Sequence, residues 1–513
     1  MELKSVQTPV ITYMYLTTAL GDKIDIRLQM VSLTLYEDIF SPVLNGEIDI
    51  NDNLGMFDNF PISGNETLTV KFYSYGFDQQ KPPLIEYIHR TFDILKITNI
   101  TTPNEYTKRY TLLFASPELK KNETIKISKA YPQITSSTVL SNIMTADYDN
   151  EENEPLGLGF PTTPHDDDSD ALTSFSSPFL TSDDVENHFQ QLDDGNSIEL
   201  FIEKTKYIEP WITIPYMKPF EIFNWLAARA LRESGGRYNN NSANFLFFEN
   251  KRGFQFVTLD TLFENKDVAT KSTLQYGNAL QNQAVGQMQN RTIFIDRIER
   301  LKFEDCYDIL SNIRNGLYSS QLFTYDISNG NVTEKDFDYI DQFYKVESVD
   351  RDDVKNGQLG PPTGDYPQIM LDAAGKNPLT TKPLSHRMFL PIFASRDKDN
   401  ITSASTGRLS GTKVSVGLEE YIQLRISELA KITNFRITVD ISGNSKHKVG
   451  DIIELDLKYW SQSTDDSARL QTLPHKYLQG NYLITAIKHV LTNTTYKMSI
   501  ELAKDSLRAK IGK

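Results

Sequence analysis

Seven histidines, one cysteine and 68 Asp or Glu side chains are the groups with which this 513-residue chain could do chemistry. Their spacing limits what that chemistry can be. His447, His475 and His489 crowd towards the C-terminus, but their intervals match no metal-ligand pattern, so ordinary surface or edge positions are expected. The run His165-Asp-Asp-Asp-Ser-Asp could hold a divalent cation only loosely, because it lacks the glycine and closing glutamate of a calcium loop. Cys306 falls on the apolar stripe of a helix read from Ile298 through Phe303, Leu310 and Ile313, where a buried structural thiol is expected. No Gly-x-Ser-x-Gly elbow, His-Glu-x-x-His pair or P-loop occurs. Gly157-Leu-Gly159 lacks the third glycine of a dinucleotide loop. Carboxylate pairs are uninformative among so many acids. These residues specify no reaction, and the reading is of a non-enzyme with no catalytic residue, metal or cofactor.

The bulk figures fit a soluble globular chain long enough for several cored domains, at 39% hydrophobic and 24% charged residues. A lone cysteine excludes an internal disulfide and suits a reducing cytoplasm. No apolar run is long enough to span a membrane, and the first residues carry no secretory signal. The net charge of −15 is concentrated: Asp147 to Gly195 holds fourteen acids and no Lys or Arg. The folded body is therefore near neutral and lacks the basic excess of a dedicated nucleic-acid binder. The acidic stretch itself reads as a flexible loop, or an arm that orders on a partner.

What must position any functional surface is a strand pattern that occurs twice. Near the start, Gly46–Asn51, Gly64–Tyr73, Thr91–Asn99 and Lys108–Ser116 alternate apolar and polar residues, the last two joined by a polar turn. Near the end, Ile437–Ser442, Gly450–Tyr459, Tyr482–His489 and Tyr496–Ala503 repeat the order and the turn. With Ile24–Met30 and Val31–Tyr36, the first set suffices for a small barrel. The fold class expected is mainly β with an α/β insert: two related antiparallel β-barrels and a mixed helix–hairpin subdomain.

The division that follows is residues 1–117 for the first barrel and 118–264 for the mixed subdomain with the acidic insert 147–195. Residues 265–513 hold a helix and the second barrel, interrupted by an irregular arm at 351–411. Helices are predicted at Ser136–Thr145, Pro219–Arg232 and Leu418–Lys431, and a hairpin from Phe245 to Leu259 around Lys251-Arg-Gly253. Leu322–Ile327 is read as opening the second β module. Outward strand positions, Glu47, Asp49 and Lys71 in the first copy and Asp440, Asp456 and Lys458 in the second, are candidates for intersubunit or lumen-facing contacts. Plain solvent exposure accounts for them equally well.

Taken in order, these segments resemble the baseplate hub family of contractile-tailed bacteriophages, which is related to the spike-bearing hub of type VI secretion machines. The resemblance rests on Pro210-Trp211, the Pro219–Arg232 helix, Phe245–Phe256, Tyr421–Ile426, Ile437–Ile441, Gly450–Leu455 and Tyr482–His489, besides the first barrel. It implies a structural homotrimer in the virion tail, assembled in the host cytoplasm, whose six barrels form a pseudo-sixfold ring. Such a ring adapts a threefold central spike to a sixfold tail tube and lines a channel through which DNA passes. Implied partners are a separate spike protein, the tube or tube initiator, baseplate wedge proteins and a tape-measure protein, without membrane insertion. The acidic insert is expected to dock on a basic patch of a neighbouring tail protein. A tail-tip cell-wall hydrolase and a secretion-machine spike hub are the alternatives.

Overall fold

A computed structural model of the chain describes residues 8–59, 62–74, 87–146, 157–160, 163–164, 185–191, 197–206, 208–232, 242–264, 273–276, 297–306, 308–326, 330–350, 359–360, 386–392, 418–461, 471–474 and 478–508. The chain is mostly β, as its alternating segments dictate. The N-terminal strands are β1 (Pro9–Thr17), β2 (Lys23–Asp25), β3 (Met30–Asp38), β4 (Asn45–Asp52), β5 (Thr67–Ser74), β6 (Ile88–Asn104) and β7 (Thr107–Ala115). In β4, Gly46, Ile48, Ile50 and Asp52 are buried while the residues between them are not, the period-two pattern of a strand with one face on a core.

The middle of the chain supplies β8 (Ile127–Thr135), β9 (Thr163–Pro164), β10 (Val185–Gln191), β11 (Ser197–Glu203), β12 (Ile208–Met217), β13 (Phe245–Asn250) and β14 (Gly253–Thr258). Helices Ser136–Thr145 and Pro219–Ala227 pack on them, the second with Pro219 in its first turn and Glu221 bonding back to the Lys218 N–H. The hairpin β13–β14 forms as read, and Gly253 is obligatory: a Cβ there would meet Glu199 O of β11 at 1.8 Å. Parts of the acidic insert are built into this layer, contrary to its reading as a loop. Leu158 and Phe160 are buried in the core under the Ser136–Thr145 helix, and β10 pairs along its length with β11. Apolar residues scattered in a charged stretch were enough to anchor it. The run from His165 to Asp170 lies outside the described residues.

Next come β15 (Thr273–Tyr276), β16 (Ile298–Cys306), β17 (Ser319–Asp326), β18 (Val332–Asp338), β19 (Leu359–Gly360) and β20 (Arg387–Ile392). The helix read from Ile298 to Ile313 is instead a strand followed by a short helix, Ile309–Arg314. Its apolar spacing fits either period, and an open edge of β21 (Phe435–Ser442) decides in favour of the strand. Cys306 therefore ends a strand, and Phe303 is exposed rather than buried. Within the expected arm, β20 joins β17 and β18 in a separate three-stranded sheet, so Leu322 does not open the second module. β19 pairs with β26 (Leu507–Arg508).

After the helix Leu418–Asn434 come β21, β22 (Ile452–Ser461), β23 (Gln471–Pro474), β24 (Gly480–Leu491) and β25 (Tyr496–Ala503). The two copies pair identically: β4–β7–β6–β5 in the first, β21–β25–β24–β22 in the second. Even the irregularities repeat. β6 slips register against β7 between Ile94 and Lys96, and β24 slips against β25 between Ile484 and Ala486. β3 slips against β4 between Met30 and Ser32, and β16 against β21 between Ile298 and Arg300.

Two separate barrels were expected; the strands instead run through one sheet. Among the described residues its order is β16–β21–β25–β24–β3–β4–β7–β6–β5–β1–β2, with β22, β15 and β23 branching from β24, and no pairing returns to close it. The cause is β3, whose free edge is taken by β24 of the other copy rather than by a strand of its own. One hydrophobic core accordingly contains residues from Met14 to Ala503.

Candidate assembly interface

The copies meet at the antiparallel seam β24–β3, with Ala486 opposite Asp38 and Leu491 opposite Leu33. A buried polar chain crosses it. The two ring nitrogens of His489 lie 2.8 Å from Tyr496 Oη and 3.3 Å from Glu37 Oε1, and Glu37 also accepts from the Val449 N–H at 3.3 Å. His489 and Glu37 have no exposed side-chain surface, so each is satisfied by the other copy rather than by water. Ser74 and Ser445 exchange backbone-to-hydroxyl bonds of 3.0 and 2.9 Å across the same boundary. His447 is buried as well, beside Asn444. The expectation of surface histidines is thus corrected for His447 and His489, while His475 lies outside the described residues. Among the described residues no group of three His, Cys, Asp or Glu side chains is placed to hold a metal.

A second clamp comes from the tip of the β13–β14 hairpin. Arg90 and Glu249 are 3.3 Å apart with side chains 3% and 2% exposed. The Leu44 N–H donates to Glu249 at 2.9 Å and the Ser116 hydroxyl at 2.5 Å. Burial pushes the Glu249 carboxyl up to about 7 even though Arg90 opposes the shift. On the other side Lys251 donates to the carbonyls of Ser445 and, at 2.8 Å, Lys446. Burial, reinforced by Lys448 and Arg252, brings Lys251 down to about 7. Neighbouring hairpin residues thus hold opposite copies of the repeat.

Matching the copies strand by strand locates the six candidate positions. Asp49 and Asp440 occupy the same site. Asp49 accepts from Ser32 at 2.8 Å and Thr111 at 2.6 Å; Asp440 accepts from Arg300 at 2.6 Å and Ser499 at 2.7 Å. Each carboxylate therefore ties together the three strands around it. Glu47 is half-buried on the same face of β4, opposite Thr34. Lys71 is buried, 5.6 Å above the Tyr13 ring and 5.2 Å above Tyr87, with its ammonium pulled down by desolvation; the outward reading fails for it. Its counterpart Asp456 is half-buried on β22, opposite Gln275. Lys458 stands opposite Pro474 in the ladder, and its side chain lies outside the described residues.

Sequence reading missed the two open strand edges. β6 is covered by β5 only as far as Asp93, and from Lys96 onward it has a partner only on its β7 side among the described residues. β16 ends the sheet, paired only to β21 among the described residues. Both edges carry exposed apolar side chains, Ile100 at 52% and Phe303 at 47%. Large apolar residues on an unpaired edge were the available signal.

No family model matches this chain. It is 21% identical over 481 residues, 93% of its length and 90% of the relative's, to "Probable baseplate hub protein gp334" of Vibrio phage KVP40. A tail protein of Neisseria meningitidis MC58 superposes with a TM-score of 0.44 at 9% identity, covering 96% of each chain. The 43 kDa tail protein of prophage MuSo2 from Shewanella oneidensis gives 0.42 at 8%, covering 96% and 98%. Along nearly its whole length, this chain is similar to a phage baseplate hub protein.

Proposed function

We propose that the chain is the structural hub of a contractile phage tail and carries no enzymatic activity. Three copies close a pseudo-sixfold ring that joins a threefold central spike to the sixfold tail tube and surrounds the channel for DNA. The observation carrying this reading is the repeat itself: identical pairing order, two matching register slips and the matched Asp49 and Asp440 sites. Each chain then presents two alike surfaces, so threefold assembly yields six equivalent positions. The likeness to the KVP40 hub protein supports the placement in a tail baseplate. Spike, tube, wedge and tape-measure proteins are the partners such a ring would meet, and the acidic insert, outside the ordered anchor at Leu158 and Phe160, is proposed to dock on one of them. Native mass measurement of the purified chain, alone and with a candidate spike protein, tests the reading. A trimer of about three chain masses is expected; a monomer under every condition would end it.

A further inference from the structure

The intrachain seam is a template for what the two open edges can do. β6 is the counterpart of β24, and β16 is the counterpart of β3, by the shared pairing and the shared slips. Thr101 faces Arg109 as Val490 faces Lys497, which places Thr101 where Val490 stands. Lys302 follows Leu301, opposite Val439, as Thr34 follows Leu33, opposite Ile48, which places Lys302 where Thr34 stands. Val490 and Thr34 are paired in the seam.

We infer that β6 of one chain pairs antiparallel with β16 of a second copy, Thr101 opposite Lys302. This rests on the ring reading and names the strands and the register that join its subunits. In that register Ile100 falls opposite Phe303, so the exposed apolar side chains of the two edges cover one another. The contact is heterologous, one kind of edge against the other, and it repeats the intrachain junction without a new surface, as a closed ring requires. It also removes two edges, unpaired among the described residues, that would otherwise invite disordered association. The positive φ of 55° at Asn99, where β6 slips a second time against β7, bends this strand just before the proposed contact.

The two seams differ in what crosses them. The intrachain one is locked by His489, Glu37 and Tyr496. Ile100 and Phe303 supply an apolar contact at the corresponding place in the interchain one, so the subunit seam opens more readily than the fold.

Disulfide trapping tests the register. Residues directly opposite in an antiparallel pair have Cα atoms about 4.5–5.5 Å apart, within disulfide range. The variant Thr101→Cys, Lys302→Cys, Cys306→Ser is expected to form covalent dimers and trimers on mild oxidation. Thr101→Cys with native Cys306 retained puts the thiols about 14 Å out of register and is expected to stay uncrosslinked. Thr101 and Lys302 are exposed, and an unchanged circular dichroism melt verifies folding. A trimer by native mass that does not crosslink overturns the seam and leaves the ring. Equal crosslinking in both variants overturns the register. A monomer that never crosslinks overturns both seam and ring.

Discussion

Arg90 and Glu249 give the sharpest test of how the hairpin holds the N-terminal copy. Their charged atoms are 3.3 Å apart and both side chains are almost wholly buried. At an effective dielectric of about 20 their attraction is about 5 kcal/mol, offset by the cost of desolvating both. Glu249→Ala strands a buried guanidinium and also removes the acceptor of the Leu44 N–H and the Ser116 hydroxyl. A loss of about 3–5 kcal/mol is expected from the stranded charge, with about 1–3 kcal/mol more for the orphaned Leu44 N–H, the Ser116 hydroxyl keeping the Leu44 carbonyl as an acceptor. Arg90→Met leaves a carboxyl that can take up a proton, because burial already holds it near 7. Its cost should therefore be smaller at pH 6 than at pH 8. The double variant Arg90→Met, Glu249→Ala should be more stable than the sum of the singles predicts, with a coupling of about 2–3 kcal/mol. Urea denaturation of the four proteins, with hydrogen exchange read over Phe245–Thr258, measures the cycle. Singles that add to within about 0.5 kcal/mol in the double would refute the clamp.

Acidification offers a global check. Burial raises Glu249, Glu264 and Glu428 each to about 7, so the folded chain holds more protons than the unfolded one between about pH 4.5 and 7. Stability should then fall as pH rises through that window, and differential scanning fluorimetry should give a higher melting temperature at pH 5.5 than at 7.5; the reverse order would count against these protonation states. Asp49→Ala and Asp440→Ala each remove two side-chain hydrogen bonds, and each should cost about 1–3 kcal/mol in chemical denaturation, in parallel if the copies are equivalent. Leu158→Asp buries a charge in the core below the Ser136–Thr145 helix and should abolish cooperative unfolding of the middle layer, and deleting residues 166–182 should weaken partner binding in a pull-down with the assembled tail proteins. His489→Phe removes a group that bridges Tyr496 and Glu37 and leaves the Glu37 carboxylate short of a partner, so limited proteolysis should reach the β3–β24 boundary faster.

The sequence by itself determined the repeat, because period-two burial in strands such as β4 and β21 is written directly in residue order. It also determined the helices at Ser136–Thr145 and Leu418–Lys431, the latter running on to Asn434 in the structure, and the β13–β14 hairpin, whose apolar faces and turn residues are local signals. It could not decide Ile298–Cys306, where a short apolar spacing fits two periods and only the neighbouring edge of β21 selects one. Nor could it foresee that Leu158 and Phe160 fasten an acidic stretch, that Lys71 turns inward between tyrosines, or that His489 finds Glu37 some 450 residues away. Those outcomes depend on which strand edge meets which, and that pairing is made by backbone hydrogen-bonding groups that are the same in every residue, so side chains such as Ile100 and Phe303 can mark an edge but not name its partner. Tertiary structure alone therefore decided that the copies share one sheet, and that β6 and β16 each keep an open edge among the described residues.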